Sequence, residues 1–227
     1  MKRKAKKAKE KQTASSGGFT LASRGKVRKL GINVPVGDEY TCLPDACHTL
    51  MVHAEPDLGI KHQEVRAALH TDGQTDANVS MAMGYVGQYG MVLRFRRELN
   101  SRVALFRIRA GAFLVRLKIS TDEGTDHHFV AYLAEPGFLI DNYPGRPVPT
   151  IDDDDRSSNH EAMRVFHLLF PGANTIQMTS VYQLERAKAT VVPPTTRSSF
   201  PTHDDLFIDL YDEGVISYAE LVDCIHV

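Results

Sequence analysis

Cys42 is the residue around which a reaction can be built. Behind it Ala46, Cys47, Leu50, Met51 and Ala54 recur at helical spacing, and Pro44 sits in the first turn, where a missing N–H is tolerated. Cys42 is therefore expected at a helix N-terminus, where backbone N–H groups without helical partners and the macrodipole both favour an anion. The thiolate is the nucleophilic form of cysteine, and a helix start beside an imidazole is an environment that promotes it. Cys47 lies on the apolar face of the same helix and reads as core. Cys224, near the end of an amphipathic terminal helix, reads the same way.

A nucleophilic cysteine needs a base and a group to orient the base. His127 and His128 open one apolar run, His128–Leu133, and Asp141-Asn142 close the next, Phe138–Asp141. Ala134-Glu135-Pro136-Gly137 between them reads as a hairpin turn. Centring the turn on Glu135 and Pro136 makes Val130 face Asp141, so that His128 shares a sheet face with Asp141 as its diagonal neighbour. A shift of one residue sets Asn142 opposite His128 instead. Either residue can accept an imidazole N–H and fix the tautomer, so Cys42, His128 and Asp141, with Asn142 as alternate, make a Cys/His/Asp or Cys/His/Asn triad. His127 points to the other face and becomes the alternate base only if a bulge flips the pair.

Other constellations are poorer in spacing. Cys42, His127, His128 and Asp141 are all zinc-ligand types, but no Cys-x-x-Cys or His-x-x-x-His pair accompanies them, so no metal site is assigned. Asp152–Asp155 lacks the alternating ligands and closing Glu of a calcium loop and reads as a solvated acidic loop. Gly84, Gly87 and Gly90 match neither a P-loop nor a dinucleotide fingerprint, and read as a helix end or the wall of a cleft. No cofactor is expected.

The elements that must hold these residues follow from periodicity. Helices are expected after Cys42, over Lys61–Leu69, near Asp76–Tyr85 and over Ser158–Phe170. Strands are expected over Phe113–Ile119, in the hairpin, and over Thr175–Leu184. Helices come first and strands later, which predicts an α+β class with a mainly antiparallel sheet. Beyond Pro193-Pro194 a polar linker leads to two short acidic helices, Asp204–Tyr211 and Ser217–Ile225.

Composition bounds the function. The chain has 227 residues, 42% of them hydrophobic, enough for one sizeable core. It contains no run of about 18 apolar residues, no secretory pattern at its start, and only three cysteines, which argues against a membrane span and a disulfide scaffold. An intracellular protein, nuclear or cytoplasmic, is expected. The net charge of −1 conceals a segment, residues 2–11, with seven Lys/Arg against one Glu. Such a block stays solvated and can bind polyanions without sequence preference, so any nucleic-acid contact belongs to it rather than to the acidic body. The expected organisation is a disordered basic tail over 1–26, a catalytic domain over 27–190, and a linker with acidic helices over 191–227.

The run Gly37-Asp38-Glu39-Tyr40-Thr41-Cys42-Leu43-Pro44-Asp45-Ala46 resembles the nucleophile segment of ovarian-tumour-type cysteine proteases, an Asp-Gly-x-Cys-Leu-x-x-Ala signature running into the central helix. The order Cys42, then His128-Phe129, then Asp141 is similar to the wider papain-like superfamily. The resemblance spans residues 35–185. It implies a papain-like fold with the nucleophile helix packed on the sheet, Cys42 as nucleophile, His128 as general base and Asp141 as orienter. The spacing from Asp38 to Cys42 is longer than in the signature, and no Gln lies between Val27 and Cys42, so the oxyanion donor is expected to be Asn33 or backbone N–H groups near Cys42. The expected activity is hydrolysis of peptide or isopeptide bonds in a protein or peptide substrate, ubiquitin-like conjugates among the candidates. The alternative is a non-catalytic protease-like module tethered to nucleic acid by its tail.

Overall fold

A computed structural model describes residues 19–37, 41–69, 79–151 and 159–187. Within them the chain forms, in order, β1 (Phe19–Ala22), α1 (Arg24–Lys29), α2 (Cys42–Ala54), α3 (His62–Leu69), α4 (Val79–Gly87), β2 (Met91–Phe95), α5 (Arg102–Phe106), β3 (Ala112–Thr121), β4 (Gly124–Leu133), β5 (Phe138–Ile140), β6 (Val148–Ile151), α6 (Asn159–Leu169) and β7 (Thr175–Arg186). The seven strands make one sheet in the order β1-β6-β5-β4-β3-β7-β2, with every neighbouring pair antiparallel. The class is α+β.

The sheet is a middle layer because its central strands are apolar on both faces. Along β3 and β4, Leu114, Phe129, Ala131 and Leu133 face α2, α3 and α4, joined by Leu50, Met51, Val65 and Val86. Phe113, Val115, Val130 and Tyr132 face the other way, onto Phe106 of α5 and Val165, Phe166 and Leu169 of α6. That alternation is the period-2 pattern of strands buried on both sides. An aromatic group knits the second face: the Phe106 ring lies 5.3 Å from Tyr132, edge-on, and 5.8 Å from Phe166, stacked. The β3–β7 register shifts between Arg116 and Leu117, a bulge in the middle of the sheet.

The helix α2 is buried from Cys42 to Met51, polar positions included. It packs on β4 and β3 beneath α3 and α4, and is the central helix of the fold. The β4–β5 hairpin carries the register expected from the sequence: Ala131 opposite Ile140, Tyr132 opposite Leu139, Leu133 opposite Phe138. Gly137 closes its turn with φ 67°, a left-handed conformation that glycine adopts without steric cost.

Two boundaries are corrected. The expected tail boundary near residue 26 falls too late, since β1 begins at Phe19 and pairs with β6 from Phe19–Ile151 to Ala22–Val148. Four residues with one turn of helix behind them carry too short a pattern to register, and it is backbone pairing that orders them. The strand expected to start at His128 starts at Gly124, because β3 and β4 are themselves a hairpin closed over Thr121–Gly124. The third expected helix is α4, which runs through Gly84 to Gly87. The acidic loop Asp152–Asp155, residues 2–11, Cys224 and both C-terminal helices lie outside the described residues, as do Asp38, Glu39 and Tyr40 of the nucleophile segment. No helix among the described residues is long and apolar enough to cross a membrane.

Candidate active site

Cys42 is the first residue of α2 and is almost buried. Thr41, the N-cap, makes no side-chain bond to the helix backbone, so the first turn is not closed by its own cap. His128 sits mid-strand on β4, on the face of Val130 and Tyr132. Its ring packs edge-on to Phe170 at 5.2 Å and tilts against Tyr143 at 5.7 Å. Pairing between β4 and β5 covers only Ala131–Leu133. At the level of His128 the strand's outer edge is past the end of β5, which leaves the ring within reach of Asp141 and of Cys42 at the start of α2.

The three expected side chains come together. His128 Nε2 donates to Asp141 Oδ1 at 2.7 Å, and Cys42 lies close enough to the ring to help raise its pKa. Burial works against a charged His128 ring, but the bonds and charges of Asp141 and Cys42 outweigh it and raise the pKa to about 9. Burial likewise works against an ionised Asp141, yet His128 and Arg146 hold it below the ordinary carboxylate value. The arrangement is a buried imidazole ring between a carboxylate and a sulfur.

Three expected alternates are placed elsewhere. His127 is half-buried on the opposite face of β4, across from Lys118, and the strand carries no bulge against β3 that would turn it round. The four residues weighed as a zinc set therefore do not converge, and no group of three or more His, Cys, Asp or Glu among the described residues is arranged to hold a metal. Asn142 does not orient His128: its amide Nδ2 donates to Thr41 Oγ1 at 3.1 Å and to Asp45 Oδ2 at 3.0 Å, because the hairpin adopts the register that pairs Ala131 with Ile140. Asn33 is not at the sulfur. Its Nδ2 lies 3.0 Å from His48 Nδ1 and donates to Thr49 Oγ1 at 3.2 Å, about two turns along α2 from Cys42.

Two arginines complete the site and were not anticipated. Arg146 Nη1 donates to Asp141 Oδ2 at 2.8 Å, and its guanidinium lies 4.2 Å from the centre of the Tyr143 ring and 4.6 Å from that of Phe170. It follows the Tyr143-Pro144-Gly145 turn, which brings it back beside Asp141; a cation five residues after a buried carboxylate was the available signal. Arg24 of α1 donates from Nη1 to the carbonyls of Asp141 at 3.0 Å and Tyr143 at 2.9 Å, and from Nη2 to that of Pro35. Nothing local to Arg24 announces a contact 117 residues away. A cleft of roughly 770 Å³ opens beside His128, walled by Thr125 and Asp126 of β4, Tyr143, Arg146 and Phe170. That size suits a small ligand or a few residues of a peptide.

No family model matches the chain, and no curated protein does. Among solved structures the chain is similar to the crystal structure of a double glycine motif protease from an AMS/PCAT transporter in complex with the leader peptide. The identity is 15% and the TM-score 0.37, over 67% of this chain and 92% of that one.

Proposed function

We propose that this chain is a cysteine-type hydrolase of papain-like architecture, acting on peptide or isopeptide bonds. The observation that supports this reading is the convergence of Cys42, the first residue of a buried helix, on a His128 that is hydrogen-bonded to Asp141 and lines a cleft. Cys42 Sγ attacks the substrate carbonyl carbon as His128 takes the thiol proton. The carbon–nitrogen bond breaks as His128 returns that proton to the leaving amine, leaving a thioester on Cys42. A water then attacks the thioester, giving its proton to His128, and the acid leaves with the thiol restored. Asp141 holds Nε2–H throughout and stabilises the charged ring. With the Asn33 amide held elsewhere, the oxyanion falls to backbone N–H groups of the first turn of α2, from Cys42 and Leu43, since Pro44 has none.

The rate of iodoacetamide alkylation of each cysteine against pH tests the reading, with hydrolysis of peptide and ubiquitin-type reporter substrates run in parallel. Cys42 should react well below the pH at which a free thiol does, and the rate should collapse in His128→Ala. Cys47 is an internal control, because burial, with Cys42 beside it, pushes its thiol up to about 12. A Cys42 rate that rises only near the free-thiol value of about 8.5 sinks the reading. In that case the competing scaffold reading predicts that deleting residues 2–11, and not Cys42→Ala, abolishes function.

A further inference from the structure

The triad is crossed by a second polar line that the reaction does not use. Asp45, one turn along α2 from Cys42, is completely buried. Its carboxylate accepts from Arg66 Nε and Nη2, each at 2.7 Å, from His62 Nε2 at 2.5 Å, from Thr41 Oγ1 at 3.0 Å and from Asn142 Nδ2 at 3.0 Å. Five donors use up the acceptor capacity of one carboxylate. Asn142 also reaches Thr41 Oγ1 directly at 3.1 Å, and its backbone carbonyl accepts from the Gly37 N–H at 3.0 Å. Gly37 passes so close that a Cβ there would overlap Asp45, Thr41 and Arg66.

The placement has a simple logic in the sequence. Thr41 and Cys42 are neighbours on the helix, and Asp141 and Asn142 are neighbours on the loop. The first line joins Cys42 to Asp141 through His128, and the second joins Thr41 to Asn142, with Asp45 behind them. A helix as apolar as α2 is held to its sheet by forces that do not specify its rotation or its sliding to within an ångström. A buried ionic cluster adds little net stability over apolar packing, but it is directional.

We infer that Asp45, acting through Asn142 and Thr41, is the positioning residue of the triad: it fixes the first turn of α2 against the Asp141 loop, and so sets the Cys42–His128 contact. This rests on the hydrolase reading above. Hydrogen bonds from Arg66, Asn142 and His62 overcome burial and keep Asp45 ionised, as the role requires.

The test uses the full chain with Asn142→Ala and, separately, Thr41→Val, which removes one hydroxyl while keeping the side-chain shape. Each should lower kcat and the low-pH alkylation rate of Cys42 by about 10²-fold, the cost of an ångström-scale misplacement. KM should change little, and the alkylation profile should move toward that of a free thiol. The double variant should be no worse than the worse single, since both cut one line. Variants that melt lower but keep the wild-type alkylation profile would assign the cluster to stability alone and overturn the inference. If Asn142→Ala does not fold, Thr41→Val gives the same readout. A wild-type Cys42 that behaves as a free thiol overturns the hydrolase reading and this inference with it, whereas an activated wild type with equally activated variants overturns only this one.

Discussion

Among the described residues two carboxylates are buried, Asp45 on α2 and Asp141 after β5, and each receives a histidine Nε2 and an arginine. Their surroundings diverge at the histidine. The His62 side chain is 30% exposed and its ring lies 4.9 Å from that of His48. His128 is 4% exposed and lies beside a cysteine at a helix start. An aspartate–histidine pair is thus not a site in itself. What the far side of the ring meets decides whether the pair can only build structure or, as proposed for His128, can also move protons. Asp45 accepts five bonds and Asp141 two: the carboxylate that positions is saturated, and the other is held by one ring and one arginine.

The contrast is broken or sharpened most strongly by removing one charge at a time. Asp141→Asn should cut turnover by about 10³- to 10⁴-fold, because a neutral amide cannot stabilise the charged ring. Asp45→Asn should lose more stability, on the order of 3–5 kcal/mol for one partner taken from a buried ionic cluster, and less turnover, about 10²-fold. Steady-state kinetics with urea melts on both variants decide it, and exchanged outcomes would dissolve the distinction.

The pH dependence of stability separates the two pairs next. His128 is raised from an ordinary 6.5 to about 9, so its contribution is complete below 6.5 and is lost as pH rises through 9, on the order of 3 kcal/mol at most. Both aspartates are held below the ordinary 3.8, so their contributions are complete above that value and are lost as pH falls through the lowered ones. Melting temperature should therefore decline on the alkaline side through the His128 pair, and on the acid side through both. His128→Gln should flatten the alkaline decline while the acid decline survives through Asp45. An alkaline decline that persists in that variant would show that another group carries it.

The smallest effect tests the arginines. Arg146→Lys keeps a cation at Asp141 but loses the planar stack on Tyr143 and Phe170, which should cost about 1 kcal/mol and less than tenfold in turnover. Thermal melts and initial rates measure both. A loss as large as that of Asp141→Asn would mean that Arg146 is the essential partner of the carboxylate.

What was legible in the sequence was whatever carried its own period or turn. Alternation from Phe113 and the Pro136-Gly137 pair located the central strands, and with them the register that puts His128 beside Asp141. The apolar spacing behind Cys42 located α2. Short elements escaped: β1 and β6 have four residues each, one with a proline at position 149, and Val27 is the single buried residue of α1. Asp45 escaped for a different reason. An acid in the first turn of a helix is what the macrodipole favours anywhere, so its burial left no trace. Asn142 was noticed but given the wrong partner, because its true contacts are Thr41 and Asp45, about 100 positions earlier, where no local pattern can point.

The position of β7 has a consequence for how the molecule comes into being. It is the last described strand, yet it lies inside the sheet between β3 and β2. Cys42, His128 and Asp141 are all synthesised before it, but until β7 emerges β3 has an open edge and β2 has no neighbour to join. Every strand-to-strand contact of β2 waits on residues about 90 positions later, and long-range closures of that kind are the slow ones. The emerging chain therefore carries the chemical groups for some time before it has the sheet that aligns them. During that interval the bare edge of β3 is open to wrong pairing.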